Sequence, residues 1–309
     1  LDNHLTINSM DDDGTYYYIA AGPSVWMRAI ASTTYEWTRV NGPSSGSYCS
    51  ALDTFSGEIY AAFILSDGSM DIYTATAGSP PGSWTASADT DVSGKQIIRI
   101  MEVNGVLLVS AQETDGTYSL YYLYGTDYQA TALTSLSAPV NDAAGHGSEF
   151  WVAAGSKVHT LSSTLDSSTD VTPDVSHTLN TFNGVHYSAA GNYYLANRNG
   201  RLYTSAVGST WTASEQQTVD NNIVRFTVFG EVNGFLIAGT TGYGFYELAD
   251  GQVGSGKLTR FEDLGTEIVN TSILRFYVDG NTIFFCTGGD GLYNYTKDGT
   301  GWEGTWNHE

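Results

Sequence analysis

The chain has 309 residues, enough for one large β domain or two ordinary ones. It is rich in Gly (35) and Tyr (21), holds only 12 Lys and Arg together, and carries a formal net charge of −21. That charge repels phosphate backbones and anionic lipid heads at long range, so nucleic acid and membrane surfaces are excluded as partners. No apolar run approaches the ~20 residues of a membrane span.

Gly marks turns, and Tyr, Thr, Val and Ile suit pleated, half-buried surfaces. No stretch shows a helical period or a capping box, so the composition predicts an all-β chain. In chain order, a hairpin glycine followed by an apolar run recurs. The series is Gly14 in DDGTYYYIAAG, Gly57 in FSGEIYAAF, Gly105 in VNGVLLVSA, Gly147 in GHGSEFWVAAG, Gly191 in AAGNYYLAN, Gly234 in VNGFLIAG and Gly280 in VDGNTIFFCTG. Successive members lie 42 to 48 residues apart and fill the chain. About a dozen residues later a further strand carries an aromatic: Trp26, Tyr73, Tyr121, Tyr203, Tyr246 and Tyr293, with His159 in that place in the fourth copy. A closing strand with Trp or Thr follows, at Trp37, Trp84, Trp211, KLTRF and Trp302, and runs such as QIIRIMEV and SILRFYV precede the glycines.

Each copy is thus four short antiparallel strands. Repeated seven times at ~40–50 residues, this is the pattern of a β-propeller blade. The predicted blades span 4–40, 47–87, 95–134, 138–172, 179–214, 221–261 and 271–306, with no linker to divide residues 1–309 into two domains. The last copy has four strands of its own, ending in GWEGTWNHE. Ring closure is therefore expected by face packing, with a short pairing of residues 1 to 4.

The stretch YYLANRNGRLYTSAVGSTWTAS (193–214) resembles an Asp-box, or bacterial neuraminidase repeat, which runs Ser/Thr-x-Asp-x-Gly-x-Thr-Trp. Thr204, Gly208, Thr210 and Trp211 match, and Ala206 stands in the aspartate's place. YTKDGTGW and YTATAGSPPGSW are looser echoes. In that family the box staples a hairpin, so the resemblance implies a fold. Sialidases of the family use three arginines and have six blades. Their Phe/Tyr-Arg-Ile-Pro motif has its nearest counterpart in IRIM, where Met101 replaces the proline.

Propellers bind ligands at a channel mouth where the innermost strands begin. There a polar residue recurs within apolar strands: Asn8, Arg99, Asn141, Arg225 and Arg275, with Asn183 nearby. An arginine on an apolar strand must find oxygens, which suits either an anionic or polyhydroxylated ligand or a tie between blades. Asp11, Asp12 and Asp13 read as solvated turn residues or as a surface Ca²⁺ site, the one cofactor the sequence suggests. Cys49 and Cys286, with no CxxC or His cluster beside them, read as isolated buried thiols. Asn270 and Asn294 begin glycosylation sequons.

The few lysines, the Ser/Thr/Asn/Gly-rich surface and Leu1 in place of an initiator Met fit a processed, secreted or cell-surface protein. The expected function is a binding or interaction scaffold for a glycan, another extracellular ligand or a surface protein, in preference to an enzyme. A glycan-active hydrolase would need two carboxylates converging in the channel. A subunit of a surface assembly would show a broad apolar patch.

Overall fold

The hairpin glycines are required by the backbone. In the computed structural model, which describes residues 5–32, 34, 36–78, 81–174, 180–249, 258–260, 271–296 and 305–308, all seven adopt positive φ, from 55° at Gly280 to 92° at Gly191. Each sits between the first two strands of a blade. Ser56-Gly57, Asn104-Gly105 and Asn233-Gly234 have positive φ at both residues, the two-residue turn that matches the twist of paired strands. Nothing lies within 4 Å of a Cβ built on Gly57, Gly105 or Gly234, so conformation rather than space selects glycine there.

Seven four-stranded antiparallel sheets follow one another along the chain, each in the spatial order first to fourth strand. The first strands are Ile7–Asp12, Gly46–Phe55, Gln96–Val103, Val140–His146, Phe182–Tyr187, Phe226–Val232 and Ile273–Asp279. Each lies against the first strand of the next blade, and that of blade 7 against that of blade 1, so the ring closes around a central channel. The fold is a seven-bladed β-propeller. Among the described residues no helix is long and apolar enough to cross a membrane.

The core is divided. Seven apolar clusters lie between successive blades, one per joint. Second strands alternate between them: in blade 2, Ile59, Ala61 and Phe63 face blade 1, while Tyr60 and Ala62 face blade 3. Burial of both faces explains why these strands read as continuous apolar runs. The recurrent third-strand aromatics share one register, each opposite the middle of its second strand. Tyr73, Tyr121, Tyr203, Tyr246 and Tyr293 are buried, and Trp26 and His159 half-buried. Trp84 and Trp211 donate their indole N–H to carbonyls of the preceding blade, Asn41 at 2.6 Å and Val171 at 3.1 Å. Trp302 lies outside the described residues.

Blade 7 takes its fourth strand, Thr305–His308, from its own segment. The joint to blade 1 is made by a bridge between Thr6 and Gly288, the Gly291 N–H on the Leu5 carbonyl (3.1 Å), and the Tyr17 hydroxyl donating to Asp279. Arg28 sits among the rings of Tyr17, Trp37 and Phe284. Residues 1–4 lie outside the described residues. Cys49 and Cys286 are both buried and free.

Tyr203 is 3% exposed, packs edge-on against Phe182 at 5.8 Å and accepts an N–H of Asn199 at 3.1 Å. Tyr203→Ala is expected to lower unfolding free energy by about 3–5 kcal/mol. Tyr203→Phe should lower it by about 1 kcal/mol. Urea denaturation of the two variants checks both figures.

Candidate functional site

Each first strand carries a β-bulge where its register shifts against the second strand. The bulge residues are Asn8, Ser50, Ile98, Asn141, Asn183, Thr227 and Leu274. Four of them clasp the next blade by donating to the carbonyl just before its own bulge. Asn8 donates to Cys49 (2.8 Å), Asn141 to Phe182 (2.9 Å), Asn183 to Phe226 (2.9 Å) and Thr227 to Ile273 (2.7 Å). Asn8 also donates to the Tyr48 hydroxyl at 2.8 Å. The amides of Asn8, Asn141 and Asn183 are therefore engaged between blades.

The sequence alignment placed the arginines in the same register as these asparagines, and the structure corrects it. Arg99 and Arg275 follow the bulge by one residue, equivalent to Ser9 and Asp142; the bulge residues there are Ile98 and Leu274, and only the pairing with the second strand tells the two positions apart. Arg225 precedes the first strand of blade 6 and is exposed. The three do not form one ring.

Arg275 Nη1 donates to Asp142 Oδ1 at 3.2 Å, and both side chains are largely buried, at 13% and 14% exposed. Blades 7 and 4 are three steps apart in a ring of seven, the largest separation available, so this ion pair crosses the channel. The other Asp142 oxygen accepts the Val185 N–H of blade 5 at 3.1 Å. Arg99 lies beside the pair and has no hydrogen-bond partner among the described residues. Burial pushes its guanidinium down to about 9, the neighbouring Arg275 charge pushes the same way, and Asp142 offsets this in part. Asp142 escaped the sequence reading because its partner lies three blades away.

Two residues deeper, Asp11 and Asp53 meet. The Asp53 carboxyl is held well above the usual carboxylate range, by burial first and then by the Asp11 charge and their shared hydrogen bond. Its Oδ2 accepts the Glu102 N–H of blade 3 at 3.0 Å, and Asp11 Oδ2 accepts the Thr54 N–H of blade 2 at 2.7 Å. Asp12 accepts the Gly14 N–H, and burial raises its carboxyl. Asp13 Oδ1 accepts Thr15 N (2.8 Å) and Tyr16 N (2.7 Å), while its Oδ2 accepts the Tyr18 hydroxyl (2.7 Å). Asp11, Asp12 and Asp13 thus point into separate hydrogen-bond networks. Among the described residues no group of three or more His, Cys, Asp or Glu side chains is arranged to hold a metal. Asn294 is buried at 3% exposed, and Asn270 lies outside the described residues.

One element interrupts the repeat. Between blades 5 and 6 an extra hairpin pairs Thr218–Val219 with Asn222–Ile223 through Asp220 and Asn221, at φ 50° and 64°. Asp and Asn tolerate this left-handed turn, and the dipeptide DN was its one trace in the sequence. The hairpin is fastened by Gln217 N to Gly200 O (2.8 Å), Val224 N to Gln217 O (3.1 Å) and the fully buried Val224. It faces the loop between the second and third strands of blade 6, joined there by Thr241 N to Arg225 O at 2.9 Å. Together they form a pocket of about 430 Å³ lined by Asn221, Asn222, Ile223, Arg225, Thr241 and Tyr243. Arg260 donates to the Tyr243 carbonyl at 3.2 Å and sits 5.8 Å from its ring. No side chain of the described residues pairs with Arg225.

No known sequence family and no curated protein matches the chain. Solved structures match its fold. YCF48 bound to D1 peptide superposes with a TM-score of 0.71 at 13% identity, covering 96% of this chain and 94% of that one. The WD40 propeller domain of Doa1 gives 0.62 at 12% identity, covering 95% and 93%. The extracellular domain of BT4673 from B. thetaiotaomicron gives 0.68 at 12% identity, covering 99% of this chain and 46% of that one. At such identities the likeness shows the fold alone.

The Asp53 carboxyl generates a pH prediction. Its folded-state pKa lies above the unfolded value near ~3.9. The stability it contributes is therefore complete below that value and is lost as pH rises through the folded-state pKa. Asp53→Asn keeps both hydrogen bonds without the charge. It should raise the denaturation midpoint at pH 7, leave it unchanged at pH 3, and flatten the decline between. Urea titrations at a series of pH values measure this.

Proposed function

We propose that the protein is an exported interaction module that binds acidic glycans in the pocket between the extra hairpin and blade 6. The observation that carries this reading is the exposed Arg225 guanidinium, unpaired among the described residues, within a pocket whose described lining holds amides, a hydroxyl and a tyrosine ring and no carboxylate. A guanidinium takes a sugar carboxylate through two parallel N–H donors. Asn221, Asn222 and Thr241 match hydroxyls as donors and acceptors, and the Tyr243 ring offers an apolar wall. The volume falls in the ordinary range for small-ligand sites. Structural neighbours that include a peptide-bound propeller and an extracellular domain accord with a binding role outside the cell.

A hydrolase finds less support. Asp11 and Asp53 converge in the channel but bond to one another, whereas carboxylates that cleave a glycosidic bond stand ~5–9 Å apart across the sugar. A surface-assembly subunit also finds less: exposed large apolar side chains among the described residues are Tyr124 and Val207, on different blades. In the same reading the hairpin after Thr204 is a degenerate Asp-box. Ser205 Oγ accepts the Val207 and Gly208 N–H groups and supplies the staple that Ala206 lacks.

Glycan-array screening should show retention of uronic- or sialic-acid-bearing oligosaccharides over neutral ones. By calorimetry Arg225→Ala should weaken binding at least ~10-fold, the loss of one charge-assisted fork, with an unchanged melting temperature because the side chain is exposed. Absence of acidic-glycan retention, or unchanged affinity in the variant, would sink the reading.

A further inference from the structure

We propose that the central channel contains a second binding site, in which Arg99 and Arg275 together hold one small oxyanion of the carboxylate or phosphate type. The site lies one residue past the bulges of blades 3 and 7, and is separate from the rim pocket of Arg225.

Donors and acceptors at this level do not balance. Two guanidiniums bring ten N–H donors, and a carboxylate offers about four acceptor positions. Asp142 accepts one hydrogen bond from Arg275 and one from the Val185 N–H, and among the described residues none joins it to Arg99. The remaining residues at this level are Ser9, Ala51, Gly184 and Val228. Ser9 Oγ already accepts the Leu52 N–H at 2.8 Å, and the other three carry no side-chain acceptor. Asp11 and Asp53, two residues deeper, are held by each other and by the Thr54 and Glu102 N–H groups. Nothing in the described channel neutralises Arg99.

Burial and a like charge both act against the Arg99 cation, and its guanidinium is driven down to about 9 as a result. A bound anion reverses both costs at once: it supplies the missing acceptors and separates two like charges. Water can hydrate the guanidinium but brings no opposite charge to a place where electrostatics is weakly screened. At this level the backbones of blades 5 and 6 approach closely, which selects glycine at Gly184. A Cβ there would come within 3.1 Å of the Thr227 carbonyl and 3.2 Å of Val228 Cα.

Titration calorimetry of the full chain at low ionic strength, with acetate and with inorganic phosphate as separate probes, tests the proposal. Wild type should bind at least one probe saturably, one anion per chain, and the preferred probe separates a carboxylate ligand from a phosphate one. Arg99→Met should weaken binding at least ~10-fold, the value of one charge-assisted pair. Asp142→Asn should tighten it, because Arg275 is released and a competing carboxylate is gone. That variant is nearly isosteric, so it reports even where Arg99→Met fails to fold. Arg225→Ala removes the rim guanidinium, so saturable binding that persists in that variant belongs to the channel, which keeps this test distinct from that of glycan binding. No saturable binding of either probe to wild type, wild-type affinity in Arg99→Met, or no tightening in Asp142→Asn would each overturn the site.

Discussion

A four-stranded sheet with two apolar faces cannot stand alone, and this constraint governs the rest of the molecule. The ring satisfies it by giving every face a neighbour, so stability resides in seven joints rather than one core. Apolar faces alone tolerate sliding. The polar ties between blades fix the register: Asn104 Nδ2 to Glu149 O at 3.1 Å between blades 3 and 4, His186 to Glu231 at 3.0 Å between blades 5 and 6, and the Tyr17–Asp279 contact that closes the ring. The last two satisfy buried or half-buried groups that a slipped register would strand.

The bulge links the architecture to the channel. By removing one residue from the ladder it lets a side chain reach across to the next blade, and it turns the following residue towards the lumen. Blades 3 and 7, whose bulge residues Ile98 and Leu274 make no clasp, are the blades that place arginine next in line. In blade 4 the clasp of Asn141 is followed by Asp142, which receives Arg275 from across the ring. One local irregularity thus both fastens the ring and furnishes its interior with charge.

What the sequence disclosed follows from which features are local. Gly57, Gly105 and Gly234 announce their turns because positive φ leaves few alternatives, and the repeat follows from them. Asn8, Asn141 and Asn183 were visible as polar residues in apolar strands. Their role was not visible, since an amide that clasps a carbonyl 41 or 43 residues on looks the same in sequence as one awaiting a ligand. The one-residue error on Arg99 and Arg275 arises because the bulge position shows only in the pairing with the second strand. The Arg275–Asp142 pair, 133 residues apart, leaves no local trace at all. Arg225 was singled out for a register it does not occupy. Its setting depends on the hairpin at Asp220-Asn221, which departs from the repeat and so falls outside any argument from periodicity.

The two ends of the channel differ in sign, and this bears on what the molecule can receive. Where the first strands finish, Asp12, Asp13, Glu102, Glu231 and Asp279 gather beside the hairpins. Where they start, Arg99 and Arg275 face the lumen and Arg225 stands at the rim. At physiological salt the Debye length is ~8 Å, so a small anion near the arginine end responds to those nearby cations more than to the net charge of −21. A long polyanion covers more of the surface than the arginines do and meets the acidic remainder. In the proposed reading this charge distribution favours a small acidic group at one end over an extended polyanion, a local site carried on a repelling surface.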